Sequence, residues 1–221
     1  MFIAFEGCDG AGKGVQLARL HERLESLKIQ HVMLRDPGDT CLGDAIRKIL
    51  LEKSSLNPCV NAEAALFMAA RAQLIHEKII PALQNDNVVV IDRYLLSTAV
   101  YQGYANNLPE EELQTLWRSG LALASNLFPD LTLVLDCPTE LARQRINRQK
   151  DRIESRKQEY HERVALGYRY FAQNWSRYAP GKVALIDAAK TPEDVWTQIQ
   201  SAISQQLDLE LEPRNRTTEL T

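Results

Sequence analysis

The sequence has four cysteines, Cys8, Cys41, Cys59 and Cys137, and none sits in a C-x-x-C pair or at zinc-site spacing. That argues against a zinc module or a dithiol redox motif and predicts free thiols in a reducing compartment. Excess positive charge is missing too. Lys and Arg total 26 against 29 Asp and Glu, a formal net charge of −3, so a general nucleic-acid binder is not expected. No apolar run approaches membrane-spanning length, and no basic stretch followed by an apolar one opens the chain. Internal repeats are absent. The expectation is a cytoplasmic protein with neither a membrane nor a nucleic acid as partner. A length of 221 residues suits one α/β domain with a full core.

What is present begins at the first residues. The apolar run Phe2-Ile3-Ala4-Phe5 reads as a buried strand, and a helical pattern starts near Lys13. Between them lies Gly7-Cys8-Asp9-Gly10-Ala11-Gly12-Lys13-Gly14. A glycine-rich turn from strand to helix lets backbone N–H groups converge on phosphate, and the helix N-terminus adds partial positive charge. The stretch fits the phosphate-loop pattern G-x-x-x-x-G-K-[S/T] except at its end, where Gly14 replaces the hydroxyl residue that usually touches Mg²⁺. A chance glycine-rich turn and a loop that binds nucleotide without turnover are the competing readings. Cys8 inside the loop reads either as a redox thiol or as a small tolerated side chain.

Alternation of strand and helix patterns predicts a parallel sheet covered on both faces. Strands are expected at Phe2–Glu6, His31–Arg35, Val88–Asp92, Leu131–Asp136 and Val183–Asp187. All but the second are nearly unbroken apolar runs, as doubly covered strands should be. Helices are expected at about Lys13–Leu27, Leu42–Leu51, Ala62–Leu83, Pro109–Ser125, Pro138–Arg148, Ser155–Tyr178 and Thr191–Gln206. The domain should run from 1 to 207, with a disordered tail over 208–221.

Several side chains stand out along these elements. Phe67 and Arg71 lie four apart and share a helix face, either as a ligand-facing pair or as a core ring and a surface charge. Asp92 ends a buried strand beside the phosphate loop, where a carboxylate can orient Mg²⁺ through water; Arg93 beside it can clamp phosphate oxygens. A plain ion pair between these neighbouring charges is the competing reading. Ser97 and Tyr101, with Thr98 and Gln102 adjacent, offer one face of hydroxyls and an aromatic ring. From Arg143 to Arg156 the chain carries six basic residues, including Arg148 and Arg152. This run is either a solvated face or a lid, over about 146–156, that folds over phosphates.

Taken together, the chain resembles the bacterial type of thymidylate (dTMP) kinase among the P-loop nucleoside monophosphate kinases, from about Phe2 to Ile203. The motifs that carry the resemblance are FEGCDGAGKGVQ, RDPGDT at Arg35–Thr40, LFMAARAQ at Leu66–Gln73, DRYLLSTAVYQG at Asp92–Gly103, PDLTLVLD at Pro129–Asp136 and DRIE at Asp151–Glu154. It implies a three-layer α/β/α P-loop NTPase fold, with five parallel strands, helices on both faces and a short Arg-rich lid. It implies phosphoryl transfer from ATP to dTMP, with Mg²⁺ accompanying the ATP, in a homodimer packed through helices.

For individual residues, the resemblance implies that Gly7 to Gly14 hold ATP, with Lys13 on the donor phosphates. Asp9 would lie near the sugar 3′-hydroxyl. Arg47 and Arg93 would grip the acceptor phosphate, Phe67 would stack on thymine, and Arg71 would bond a base carbonyl. Ser97, Thr98 and Gln102 would line the base pocket, while Tyr101 would crowd the sugar 2′ position. Asp92 would orient the metal, and Arg148 and Arg152 would be the lid arginines. Two positions depart from the family pattern: Gly14, and Asp39, where the family usually has glycine. They keep open a kinase for another nucleoside monophosphate, or a nucleotide-binding regulatory protein with a decayed active site.

Overall fold

The five apolar runs become five strands, β1 (Phe2–Gly7), β2 (His31–Arg35), β3 (Val88–Asp92), β4 (Leu131–Asp136) and β5 (Lys182–Asp187), all parallel in the order β2-β3-β1-β4-β5. The computed structural model describes residues 1–53, 56–146, 149, 151–207, 209 and 211. Nine α-helices connect and cover the strands among those residues: α1 (Lys13–Ser26), α2 (Cys41–Leu51), α3 (Val60–Leu74), α4 (Ile80–Gln84), α5 (Leu95–Thr98), α6 (Glu110–Leu123), α7 (Thr139–Gln144), α8 (Gln158–Gln173) and α9 (Pro192–Leu207). The result is the expected three-layer α/β/α arrangement. Among the described residues no helix is long and apolar enough to cross a membrane.

The three central strands are buried almost throughout, because parallel crossovers lay helices on both faces of the sheet. β5 departs from the expectation. It is an edge strand, mostly half-buried or exposed, and Leu185 is 47% exposed. Its apolar run reads like a central strand because hydrophobicity alone does not say which strands pair on both sides.

Three helical expectations need correction. The single helix Ala62–Leu83 is instead α3, a π-helical turn over Ile75–Ile79, and α4. Pro81 has no N–H to donate, and the wider turn brings it to the start of a new helix, where none is needed. The helix expected to begin at Ser155 begins at Gln158. Before it, the Asp151 and Glu154 side chains exchange bonds with each other's backbone N–H at 2.8 and 3.0 Å, closing a turn of their own. The helix expected to reach Arg148 ends at Gln144, and Arg148 itself lies outside the described residues.

Most of the tail expected to be disordered, over 208–221, also lies outside the described residues. Leu209 and Leu211 are described. Both pack against the core, Leu211 fully buried, and the Leu211 carbonyl accepts a bond from Arg23 Nε.

Candidate active site

The strand register gathers the singled-out residues at one edge of the sheet. Gly7 lies beside Leu135, and Asp92 lies between Phe5 and Arg35, so the loop after β1 and the residues after β3 share the carboxyl-end crevice. Two glycines of the loop are required by geometry. Gly7 has φ 140°, and a Cβ there would stand 2.6 Å from the Leu135 carbonyl oxygen. At Gly10, φ 82°, a Cβ would stand 2.0 Å from the Ala142 carbonyl oxygen. The loop thus folds tightly onto β4 and α7, and Gly12 in the left-handed region turns it into α1.

Lys13 bends back over this loop. Its Nζ donates to the Gly7 and Cys8 carbonyls at 3.0 and 3.2 Å, and burial lowers its pKa from the usual lysine value. Cys8 is buried as well, and burial pushes its thiol up to about 11, which removes the redox reading at physiological pH. Cys137 is free and buried, and Cys41 and Cys59 are free and exposed.

Arg93 is the hub of the crevice. Its backbone is left-handed, φ 67°, an uncommon conformation for a side-chain-bearing residue. Glu6 on β1 holds that turn. Its Oε1 accepts from the N–H groups of Tyr94 and Ser97 at 2.8 and 3.1 Å, and its Oε2 accepts from Ser97 Oγ and the Tyr168 hydroxyl at 2.6 and 2.9 Å. Burial raises the Glu6 pKa, against the pull of these donors and of Arg93. The Arg93 guanidinium then donates to Ser97 Oγ (3.1 Å), the Tyr168 hydroxyl (3.0 Å), Asp9 Oδ1 (2.7 Å) and the Tyr101 hydroxyl (3.2 Å). It also lies over the Tyr101 ring, 5.0 Å from the centroid. Tyr101 donates in turn to Asp9 Oδ2 at 3.0 Å. Burial alone would raise the Asp9 carboxyl, but Arg93 and then Lys13 outweigh it and hold it at about 2.

A second charged pair lies deeper. Arg71 on α3 is buried and donates to Asp36 Oδ2 at 2.5 Å, to Thr98 Oγ1 at 2.9 Å and to the Tyr94 carbonyl at 3.2 Å. Among the described residues its Nη1 has no partner. A buried N–H donor without an acceptor is costly, so it marks a place where a ligand oxygen would be favoured.

One cavity of about 580 Å³, counting its open mouth, joins these groups. Asp9, Arg47, Phe67, Arg71, Arg93, Ser97, Thr98, Tyr101 and Gln102 all line it. Every side chain expected to bind the acceptor therefore reaches the same space. Arg47 approaches from α2 and donates to the Pro37 carbonyl at 2.9 Å. The Arg71 alternative of a surface charge is excluded by its burial.

The metal expectation is tested at Asp92. Its Oδ1 is buried and, among the described residues, without a hydrogen-bond partner, and its backbone carbonyl is already used by the Asp36 N–H at 3.0 Å. Among the described residues Asp92 makes no ion pair, so the plain salt bridge with Arg93 is not formed. An orphaned carboxylate oxygen beside a phosphate loop fits an ion bound through its water shell.

The basic run behaves differently from a simple phosphate lid. Arg152 donates to Glu63 Oε2 at 2.6 Å and to the Leu50 carbonyl at 2.8 Å, and its own N–H bonds the Leu51 carbonyl at 3.0 Å. Arg156 also donates to both Glu63 oxygens, at 3.0 and 2.8 Å. These contacts strap the segment 151–156 to α2 and α3, where Asp151 and Ile153 help line the cavity.

Glu6, Asp36, Glu63 and Tyr168 are functional-site residues that no spacing in the sequence singles out, and Arg156 stands out there only as one of the basic run. The first and third carried a signal, an acid inside an apolar strand and an acid inside an alanine-rich helix. Asp39 resolves into a local role. Its backbone is left-handed, φ 59°, and its Oδ2 accepts from the Arg35 N–H at 2.6 Å. It is not among the cavity-lining residues.

A phosphate loop on the central strand, a buried arginine hub and a lined cavity at the carboxyl edge define a P-loop nucleotide-binding α/β protein. Comparison with known proteins narrows the class. The family model described as thymidylate kinase matches residues 5–199. A thymidylate kinase of Desulfovibrio desulfuricans is 38% identical, covering 92% of this chain and 94% of that protein. One of Symbiobacterium thermophilum is 38% identical over 94% of both, and one of Staphylococcus haemolyticus 37% over 91% and 96%. The chain belongs to the thymidylate kinase family.

Proposed function

We propose that this protein transfers the terminal phosphoryl group of ATP to dTMP, giving ADP and dTDP on the way to dTTP. The observation that carries the acceptor choice is Arg71: a buried guanidinium with Nη1 unpartnered, lining a cavity beside Phe67. A pyrimidine ring stacked on Phe67 would offer that N–H a base carbonyl, while Thr98 and Gln102 complete the wall. Tyr101 then stands against the sugar and disfavours a 2′-hydroxyl.

The acceptor phosphate falls to Arg93 and Arg47. Arg93 is held in place before any ligand arrives, by Glu6 through Ser97 and Tyr168 and by Asp9 directly, so little is lost in ordering it. Asp9 keeps the charge of Arg93 balanced and offers an acceptor toward the sugar. The loop amides from Gly7 to Gly14 and Lys13 Nζ hold the donor phosphates, Nζ exchanging its two carbonyl contacts for phosphate oxygens. Mg²⁺, when bound with ATP, neutralises phosphate charge and aligns the transferring group. Asp92 is the residue that would hold its water shell, and Gly14 supplies no protein ligand there. No general base is required, because the attacking phosphate oxygen is already largely ionised near neutral pH.

Arg152, with Arg148, belongs to the lid in this reading. Arg152 steadies its closed edge through Glu63, and closure keeps water from the phosphoryl group. Residues 1–207 act as one domain. The protein works as a cytoplasmic homodimer. Support for the dimer lies in α3, where Ala62, Ala65 and Ala69 stay exposed on the outer face.

A coupled assay with ATP and Mg²⁺ and a panel of dTMP, dUMP, UMP, CMP, AMP and GMP tests the reading. dTMP should give the highest kcat/KM. Preference for another acceptor, or nucleotide binding without product, would overturn it.

A further inference from the structure

At the opposite edge of the sheet from the crevice, three side chains converge. His21 and Glu25 lie four apart on α1 and so share a face, and His31 opens β2. One ligating atom from each lies within 4.8 Å of the others. His21 Nδ1 stands 2.8 Å from His31 Nε2, and Glu25 Oε1 stands 3.8 Å from that same nitrogen.

The tautomer of His31 is set by its surroundings. His31 Nδ1 lies 2.8 Å from the Ile29 carbonyl, which can only accept, so Nδ1 carries the hydrogen. The neutral ring therefore presents its lone pair at Nε2, towards His21 and Glu25. A backbone carbonyl behind a histidine is the arrangement that orients metal-bound imidazoles. The side chain of His31 is also only 3% exposed, so it is held rather than mobile.

We propose that His21, Glu25 and His31 form a surface site for a divalent transition ion of the zinc class. Two imidazoles and one carboxylate suit Zn²⁺, Co²⁺ or Ni²⁺ rather than Mg²⁺ or Ca²⁺. The ion takes the place of the hydrogen that His21 Nδ1 now donates to His31 Nε2; that proton leaves to solvent while the exposed His21 ring takes one up at Nε2, so the bound imidazole stays neutral. Two nitrogens each ~2.0 Å from a tetrahedral ion stand ~3.3 Å apart. The present 2.8 Å therefore needs only a small swing of the exposed His21 ring. Three protein ligands leave the fourth position to water.

The site is separate from the phosphate chemistry. His21 is eight residues beyond Lys13, about 12 Å along the helix axis, and His31 pairs with Val88 at the start of β3, four residues before Asp92. An ion here ties α1 to β2 across the intervening turn and stabilises the folded chain without entering the reaction.

The test uses the full chain, nucleotide-free because ATP chelates divalent ions. Zn²⁺ is titrated calorimetrically and Co²⁺ by its visible ligand-field absorption. One ion per chain is expected. Free Zn²⁺ at a hundredfold over Kd should raise Tm by about 5–10 °C. His21→Ala and Glu25→Ala, both at exposed positions, should each weaken binding at least ~10-fold and leave the Mg²⁺-dependent kcat of the zinc-free enzyme unchanged. His31→Ala should do the same if it folds; if it does not, the two exposed variants decide the matter. Unchanged affinity in His21→Ala would overturn the proposal, as would thiolate charge-transfer bands that assign the ion to Cys41 or Cys59. Absence of binding up to millimolar Zn²⁺ would do so equally.

Discussion

Replacing Asp9 by Asn removes one charge from the crevice while keeping an oxygen for Arg93 and Tyr101. The pair it perturbs is close, 2.7 Å from Arg93 Nη2 to Asp9 Oδ1, with the Asp9 side chain 25% exposed. Burial pushes the carboxyl up, Arg93 and Lys13 pull it down, and the balance leaves it at about 2 against an ordinary 3.8. At 1.36 kcal/mol per pKa unit, that difference makes the ionised carboxylate worth about 2 kcal/mol to the folded state. The folded pKa lies below the unfolded one. The contribution is therefore fully present above about pH 4 and fades as pH falls toward 2. Urea unfolding followed by tryptophan fluorescence, run on both proteins from neutral pH downward, reads this directly. Asp9→Asn should be less stable by about 2 kcal/mol at neutral pH, and the gap should narrow only below about pH 4. A gap that stays level through that window, or one under about 0.5 kcal/mol at neutral pH, would refute the coupling.

Lys13→Ala should lower kcat by about 10²–10³ while changing stability far less, since Nζ bonds only two loop carbonyls; steady-state kinetics beside a thermal melt checks both. Glu63→Ala strips the shared partner from Arg152 and Arg156 and from Gln102, and should cost about 3–5 kcal/mol in a denaturant titration. Tyr101→Ala should raise the kcat/KM of ribonucleotide acceptors relative to dTMP, and an unchanged ratio would remove its sugar-gating role. Gly14→Ser should fold normally, because nothing lies within 4 Å of a Cβ there, and activity should still need Mg²⁺ in both forms.

The legible parts of the sequence were local. Strand positions showed as apolar runs, the phosphate loop as glycine spacing, and the Phe67–Arg71 and Ser97–Tyr101 faces as intervals of four. What escaped was long-range or negative. Glu6 meets Tyr168 across 162 residues, and Glu63 meets Arg156 across 93, so no window of sequence contains either pair. Asp36 looks like a turn residue until the sheet brings Arg71 to it. The break near Ile75–Ile79 escaped because an alanine-rich run with one proline reads as a single long helix, and widening by one residue per turn leaves no mark on composition. The edge position of β5 depends on pairing, which hydrophobicity does not encode.

The two departures from the family pattern lose most of their force once placed. A decayed site would be expected to lose the pieces that are costly to keep. Here the costly pieces are intact: a left-handed Arg93, a Glu6 with four donors beneath it, and an unpartnered Arg71 Nη1 and Asp92 Oδ1. Each strained or unsatisfied group costs on the order of 1–3 kcal/mol, and none is needed to fill a core. Asp39, by contrast, spends its carboxylate on the Arg35 N–H, and Gly14 leaves open space where a hydroxyl would stand. Groups kept at a cost and aimed at one crevice, with Lys13 and Asp92 beside them on the phosphate-loop side, are what aligning two phosphate-bearing ligands for transfer requires.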